Sequence, residues 1–368
     1  MRIRLFMYCL FWSFCIFHSK AQIIGPQVNE NVELMSILAR LAGYPEYNMD
    51  MAGQYITDID LHFKNTFEHP AVIYMKDLRK QHGISYDAVM SMALHVKEKE
   101  GKFFLIEEEI NMLREQWDKV DKNKFLNLLA DFYKESRFHD FFKAHQEFYQ
   151  KGIQAYEDKV SKYIDENWFE SFYGNVLNEK FSIIIGFCNG GANYGVSRHI
   201  KGEQKEVFAL VAYFVNNNEN KPLYVKEDLL TLVHEFNHSF INYLLDESRY
   251  PNHVKALESS GSYLLESSMW AMSQQAYGEW KSMISESLVR AAVICYMLDK
   301  NYKPEEVRKE LLYNMQRNFR WMPELVGLLR KYERKQKKYG NFENFYPQII
   351  DFFVNYAEKE NKRLSIVK

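Results

Sequence analysis

The sequence predicts a mainly α-helical protein with a small β-sheet, an α+β fold. Three observations support this class. Apolar residues recur at helical spacing along most of the chain, two short runs rich in β-branched residues interrupt that pattern near the middle, and only 8 prolines and 16 glycines occur among 368 residues. With 16% aromatic residues, the chain can bury a large hydrophobic core.

The N-terminus has the features of a secretory signal peptide. Arg2 and Arg4 precede an apolar run over residues 5–17, and Ala21 with its neighbours supplies the small residues that a signal peptidase needs. The apolar run is too short to span a bilayer comfortably, although a retained anchor is an alternative. We therefore predict that residues 1–21 are removed, that the protein is exported to the periplasm, the cell surface or the medium, and that the mature chain has no stable membrane span.

Charge and cysteine content narrow the possible partners. Signal removal lowers the number of basic residues from 47 to 44 against 49 acidic residues, which gives a net charge of −5. This balance disfavours binding to nucleic acid or to an anionic membrane surface. The mature chain keeps only Cys188 and Cys295, which excludes a disulfide scaffold but leaves open whether the two cysteines pair or remain buried thiols.

Changes of pattern divide the mature chain into three regions. Residues 22–175 are predicted to be helical, residues 176–300 combine strands and helices, and residues 301–368 are helical again and can form one compact globule with the central region. In the last region, one helix is predicted to begin at Pro304 and the final one to follow Pro347. The predicted strands cover residues 181–187 and 207–214. The glycine-rich connection between them lacks the Lys-Ser/Thr ending of a phosphate loop, which disfavours a nucleotide site.

The most informative segment is the predicted helix over residues 226–246, with acidic residues at its start and apolar residues at helical spacing. Within it, His234, Glu235 and His238 form the pattern His-Glu-x-x-His. This spacing places both imidazoles on one face of the helix, where they can share a metal ion. The pattern predicts a zinc hydrolase. The alternative is a core helix whose histidines only find hydrogen-bond partners.

A catalytic zinc ion usually takes three protein ligands and leaves one position open. Metzincins continue the motif with Gly three residues and His six residues after the second histidine, but this chain has Ile241 and Leu244 there. The metzincin class is therefore excluded.

Gluzincins instead take a glutamate from a second helix, and four glutamates are candidates: Glu258, Glu266, Glu279 and Glu286. Glu258 lies 20 residues after His238, but its surroundings predict a helix end or a loop. Glu286 lies 48 residues after His238, in an apolar segment with small residues that can pack closely on another helix. We predict Glu286 as the third zinc ligand and retain Glu258 as the alternative.

Residues 277–280, together with Glu286 and the Leu-Val-Arg-Ala sequence that ends at Ala291, resemble a little-characterised family of exported bacterial peptidases of the gluzincin type. In that family, a His-Glu-x-x-His helix is followed after about 40 to 50 residues by a Glu-x-Leu-Val-Arg-Ala helix. Residues 342–347 also match, so the resemblance covers roughly the last half of the chain. It implies a zincin-like catalytic core within residues 176–300 and a peptide or protein substrate.

These residues suggest a role for each group. His234, His238 and Glu286 would hold Zn²⁺, and Glu235 would act as the general base toward water. If Glu286 is a ligand, Arg290 would orient its carboxylate; the other interpretation is a surface ion pair between these two residues.

The donor that stabilises an oxyanion is not identified by spacing. Five side chains are chemically able to donate: Tyr194, Arg198, His199, Tyr277 and Arg290. Zincins pair a strand at the cleft with an extended substrate, so we expect residues 207–214 or the turn at residues 193–195 to border the cleft. The alternative from another class is a non-catalytic zinc-containing binding protein of the cell envelope, and a second alternative is a zinc hydrolase of other bonds such as esters.

Overall fold

The structure is a computed structural model, and it describes residues 23–174, 179–216, 221–275 and 277–365. The predicted signal peptide and the predicted boundary after residue 175 lie outside these ranges. Within them, helices predominate and a small mixed sheet forms near the middle, which confirms the predicted fold class. None of the helices in these ranges combines the length and apolar character that a bilayer span requires.

The N-terminal region consists mostly of helices, as predicted. Their ends follow local capping chemistry: Asn29 and Asp121 accept hydrogen bonds from the backbone N–H groups of Val32 and Lys124, and Gly83 ends a helix with a φ of 67°. The helices are α1 (Glu30–Leu41), α2 (Gln54–His62), α3 (Pro70–His82), α4 (Asp87–His95), α5 (Lys122–Glu135), α6 (Phe138–Ala144), α7 (Gln146–Lys159) and α8 (Glu166–Tyr173).

Three strands in this region were not predicted: β1 (Ile23–Gln27), β2 (Val96–Lys99) and β3 (Lys102–Leu105). β2 and β3 form an antiparallel hairpin, and both residues of its turn, Glu100 and Gly101, have positive φ. That geometry is typical of a two-residue hairpin turn. The hairpin was not predicted because its turn has the sequence Glu-Gly within a run of charged residues, whereas Asn-Gly and Asp-Gly are the common sequences of such turns.

The central sheet adds β4 (Glu179–Gly186), β5 (Tyr194–Arg198) and β6 (Lys205–Ala212), in the spatial order β1-β4-β6-β5. β1, β4 and β6 are parallel, whereas β5 runs antiparallel to β6. The strands predicted over residues 181–187 and 207–214 are thus confirmed as β4 and β6. A separate short hairpin joins β7 (Val215–Asn216) and β8 (Lys221–Pro222).

The position of β6 corrects one expectation. β6 has a strand on each side and is buried along nearly all of its length, so residues 207–214 cannot form the edge beside a cleft. The edge strand is β5, which begins within the alternative segment at residues 193–195. The glycine-rich turn before β5 allows two backbone segments to pack closely, since a Cβ at Gly190 would lie 2.1 Å from the carbonyl oxygen of Glu46.

The predicted helix over residues 226–246 is confirmed as α9 (Asp228–Ile241), which continues into a 3₁₀ turn, Asn242–Leu245. The remaining helices are α10 (Pro251–Glu266), α11 (Met269–Ser273), α12 (Trp280–Asp299), α13 (Pro304–Gln316), α14 (Met322–Arg334), α15 (Gln336–Tyr339) and α16 (Phe342–Ser365). The predicted start of a helix at Pro304 is confirmed.

Two helix boundaries differ from the prediction. Glu258 lies inside α10, where a helix end or a loop was predicted. Gly261 does not end this helix but allows close packing, since a Cβ at that position would lie 2.5 Å from the ring of Trp280. The last helix begins at Phe342, ahead of Pro347, and so contains a proline. A proline inside a helix costs about 3 kcal/mol, which the burial of several aromatic residues along α16 offsets.

α12 is buried around nearly its whole circumference and packs directly against α9. On the other side of α9, Phe240 stacks on Tyr173 of α8, with ring centroids 4.4 Å apart. α9 is therefore held between the sheet, α8 and α12. Cys188 and Cys295 are both free and buried, which answers the question that the sequence left open.

Candidate metal centre

Two imidazoles project from one face of α9, as the spacing predicted. The ring centroids of His234 and His238 are 4.9 Å apart, with the ring planes at 81°. Their side chains are about one-fifth exposed, while Leu232 and Phe236 on the opposite face of α9 are fully buried. The burial of those apolar residues fixes which face of the helix the histidines occupy.

Glu286 of α12 lies opposite these imidazoles. Its Oε1 is 3.3 Å from Nε2 of His234, and its Oε2 is 3.7 Å from Nε2 of His238. The ligand atoms of the three residues all lie within 4.8 Å of one another, and this is the only cluster of its kind in the part of the chain that the structure describes. Glu258, the alternative glutamate, lies exposed on α10 and outside the cluster.

Arg290 holds the Glu286 carboxylate from behind. Its Nη2 lies 2.8 Å from Oε1 of Glu286 and donates a hydrogen bond to the Tyr277 hydroxyl at 3.3 Å, while Nη1 donates to Oδ1 of Asn314 at 3.1 Å. The guanidinium also lies 5.1 Å from the ring centroid of Phe319. This pair is buried rather than a surface ion pair, with side-chain exposures of 12% and 8%.

The protonation states of the cluster follow from burial and from Arg290. Burial lowers the pKa of His234 to about 3, an effect that the negative charge of Glu286 only partly opposes. Burial alone would raise the pKa of Glu286, but neighbouring positive charges outweigh it and bring the pKa to about 2. Because His234 is neutral near pH 7, Arg290 is the cation that keeps Glu286 ionised there.

Glu235 lies beside the cluster on the wall of the same cleft and is almost fully buried. Burial, reinforced by the negative charge of Glu286, raises the pKa of Glu235 to about 8. The edge strand β5 approaches it closely at Gly195, where a Cβ would lie 3.3 Å from the backbone oxygen of Glu235 and 3.5 Å from its Oε2. Gly195 thus lets the strand pass directly over the carboxyl group.

The predicted oxyanion donors separate into two groups. Tyr277 and Arg290 lie in the cleft beside Glu286. Tyr194 contributes to the cleft wall, but its hydroxyl is buried beside Tyr47, on the face of β5 opposite to Gly195. The other two lie elsewhere: Arg198 pairs with Glu206 at 2.5 Å, and Nε2 of His199 hydrogen-bonds the Glu203 carbonyl at 3.1 Å.

Two further contacts support the helix that carries the histidines. Nδ1 of His238 lies 3.2 Å from Oδ1 of Asn242, which leaves Nε2 directed at Glu286. In the core, the hydroxyl of Tyr173 donates to Oδ1 of Asn237 at 2.7 Å. The two partner residues, Asn242 and Tyr173, were not among the site residues predicted from the sequence.

The cluster lies in a cleft of about 920 Å³. Residues of β5, α9, α12 and the start of α4 line it, together with Glu306, Glu310 and Tyr313 of α13 and Arg317, which follows that helix. The contribution of α13 was not predicted from the sequence. Its only local signal is that residues 306, 310, 313 and 317 recur at helical spacing and thus share a face.

Comparison with known proteins identifies one family. Residues 24–352 match the family described as "Domain of unknown function (DUF4932)". The chain belongs to this family. The match extends from β1 into α16, so it includes the complete His-His-Glu cluster. No curated protein and no solved structure matches the chain at a significant level.

Proposed function

We propose that the protein is a zinc-dependent hydrolase, and more specifically a metallopeptidase of the gluzincin type. The observation that carries this proposal is the convergence of His234 and His238 from α9 with Glu286 from α12, beside a buried Glu235. The features of the first 21 residues lead us to propose further that the enzyme is exported.

The donor set suits Zn²⁺. Two imidazole nitrogens and one carboxylate are a common ligand set of catalytic zinc, and such a set would leave one coordination position for water. At neutral pH, the imidazole of His234 is neutral and Glu286 is ionised, the protonation states that metal ligands require. Arg290 and Asn242 hold two of the ligands in orientation, as outer partners of metal ligands generally do.

A zinc ion held there would supply a Lewis acid that activates water and polarises a carbonyl group. Glu235 would take a proton from the water and deliver it to the leaving amine. Without an ion, burial raises the pKa of Glu235 to about 8, and the positive charge of a bound metal would lower it toward the ionised form that a general base needs. The Tyr277 hydroxyl, next to Glu286 and Arg290, would donate a hydrogen bond to the developing oxyanion.

The edge strand supports a polypeptide substrate over other amides and esters. β5 is antiparallel and pairs with β6 on one side only, and its first two residues, Tyr194 and Gly195, line the cleft, where they would meet an extended chain. Peptides commonly bind by adding a strand to such an edge. Gly195 brings this edge close to Glu235, which would place a paired peptide beside the general base.

The direct test is hydrolysis of an unstructured protein such as casein by the mature chain, abolished by a chelator and restored by Zn²⁺. Glu235→Gln should retain zinc and lose at least about 100-fold in rate, because general acid–base groups contribute about 10²- to 10⁴-fold. The matched control is Glu258→Gln, on the exposed face of α10.

Zinc-loaded Glu235→Gln with wild-type hydrolysis would refute the general-base role. Stoichiometric zinc binding without cleavage of any peptide or ester, assayed side by side, would favour the non-catalytic binding protein. Cleavage of esters but not peptides would keep the hydrolase and change its substrate class.

A further inference from the structure

We propose that Arg317 is an anion-binding residue of the cleft, and that ligands of the candidate metal centre carry a carboxylate that this guanidinium recognises. The carboxylate belongs either to a free peptide C-terminus or to an acidic side chain. Cleavage of such ligands rests on the proposed function, whereas their binding does not.

Arg317 lines the same cleft as the metal cluster and is connected to it through neighbouring side chains. It follows the last turn of α13, a helix fixed to α12 where Oδ1 of Asn314 accepts a hydrogen bond from Arg290. Its Nε donates to Oε1 of Gln275 at 2.6 Å, two residues before Tyr277 in sequence. Its positive charge also reaches His234, where it adds slightly to the larger effect of burial in lowering the imidazole pKa.

The guanidinium is held in place by neutral groups. Besides the bond to Gln275, its Nη1 donates to the hydroxyl of Tyr313 at 2.5 Å. Gln275 is itself fixed, because its Nε2 donates to the backbone oxygens of Ala271 and Arg317. These contacts restrict the side chain without neutralising it, which lowers the entropy lost when an anion binds.

Charge pairing distinguishes Arg317 from the other arginines of the cleft. Arg290 pairs with Glu286 at 2.8 Å, and Arg114 pairs with Asp87 at 2.7 Å. For Arg317, no carboxylate of the described residues lies within ion-pair distance, and its Nη2 makes no hydrogen bond to them. It is therefore a positioned cation whose unsatisfied donor is available to a ligand.

A carboxylate fits this position better than a phosphate. A guanidinium presents planar N–H groups that match the two oxygens of a carboxylate. Glu306 and Glu310 lie on the same face of α13, and their negative charges oppose a doubly charged ligand more than a singly charged one. The first residues of β5, Tyr194 and Gly195, line the same cleft, where an extended peptide would pass.

The test measures peptide binding to the zinc-loaded mature chain by isothermal titration calorimetry at low ionic strength, in the Glu235→Gln background so that no peptide is cleaved. The probes are N-acetylated tetra-alanine with a free carboxylate, the same peptide amidated, and amidated peptides with Glu or Gln at the third position. We expect at least one carboxylate peptide to bind about ten-fold or more tightly than its neutral counterpart, because a hydrogen bond between charged groups is stronger than one between neutral groups.

Arg317→Gln should abolish this preference and leave the affinity for neutral peptides within about two-fold, because it removes only the charged partner. Arg317→Lys, which keeps the charge without the fork, should retain part of the preference. The matched control is Arg308→Gln, the same change at an exposed position of α13 outside the cleft lining.

A preference for the free C-terminus or for the Glu side chain identifies the source of the carboxylate, and either result supports the proposal. Absence of carboxylate binding up to millimolar concentration, equal affinity for the paired peptides, or equal losses for both in Arg317→Gln would overturn it. If the preference holds and wild-type protein cleaves nothing, the proposed function fails and the anion site remains. If the wild-type protein cleaves peptides but shows no preference for carboxylate peptides, the proposed function stands and the anion site is refuted.

Discussion

Two buried glutamates, one in the N-terminal region and one at the candidate metal centre, have opposite acidities. Glu33 on α1 and Glu286 on α12 are both almost completely inaccessible to solvent. Burial raises the pKa of Glu33 to about 7, whereas the pKa of Glu286 falls to about 2. Burial by itself therefore does not decide the charge of a carboxyl group in this protein.

The difference comes from the charge of the neighbours. Glu33 accepts hydrogen bonds from the backbone N–H of Phe187 at 2.8 Å and from the hydroxyl of Tyr55 at 2.9 Å, and both donors are neutral. Glu286 has the guanidinium of Arg290 at 2.8 Å. Neutral donors make the first carboxyl a link between α1 and the end of β4, while a cation keeps the second ionised and able to bind a metal.

The largest expected effect is a loss of stability when Glu286 is neutralised and Arg290 loses its counter-ion. Glu286→Gln in metal-free protein should lower the free energy of unfolding by about 3–5 kcal/mol, because Arg290 then stays buried without a counter-ion. Glu33→Gln should cost only about 1 kcal/mol, because the amide oxygen can still accept from Phe187. Urea denaturation with EDTA at pH 5, where Glu33 holds its proton and Glu286 is ionised, measures both losses.

A double variant, Glu286→Gln with Arg290→Met, provides the control. It should recover much of the stability that Glu286→Gln loses, since it removes the unpaired charge as well. Similar losses for the Glu33 and Glu286 single variants would contradict the distinction drawn between the two carboxyl groups.

The second effect is a pH dependence specific to Glu33. Native protein keeps a proton on Glu33 that the unfolded chain, with an ordinary pKa of 4.5, has already released. The contribution of this proton to the free energy of unfolding is fully present below pH 4.5 and is lost as the pH rises to about 7, with no further change above that pH. The total loss is about 3 kcal/mol. Glu33→Gln should lack this contribution, so the difference between wild type and variant should change over that window.

Unfolding free energies at several values between pH 4.5 and pH 8 measure this difference. Glu358→Gln, at an exposed position of α16, is the matched control and should follow wild type throughout. A constant difference between wild type and Glu33→Gln over the whole range would show that Glu33 titrates normally in the folded protein.

The smallest effect is expected at the exposed edge of the candidate metal centre. Asn242→Ala removes the partner of Nδ1 in His238 and should weaken zinc affinity about ten-fold, the lower end for outer partners of metal ligands, because this contact is open to solvent. Competition with a zinc chelator gives the affinity. Asn252→Ala, exposed on α10, should leave it unchanged, and equal affinities for the two variants would argue against an orienting role for Asn242.

The sequence predicted the local part of the site well. The periodicity of α9 and the His-Glu-x-x-His spacing are properties of consecutive residues, and the structure has both imidazoles on one face as expected. The choice of Glu286 over Glu258 depended on a packing argument. The structure brings Glu286 to the histidines because α12 is buried beside α9, while Glu258 lies on the exposed face of α10.

Features that depend on distant partners were predicted less well. β5 could not be recognised as the edge strand, because strand order depends on pairing between segments far apart in sequence. The helical conformation around Glu258 was missed because Gly261 reads as a helix breaker until its contact with Trp280 is known. The position of Arg317, for which we propose anion binding, likewise requires α13 to lie against the cleft.

The sequence by itself determined the helical class, the two central strands and the paired histidines, because these follow from apolar periodicity and from the geometry of a single helix. Tertiary structure alone decided which carboxyl groups are ionised. A buried carboxyl takes its charge state from whatever the fold places within a few ångströms of it, two neutral donors for Glu33 and a guanidinium for Glu286.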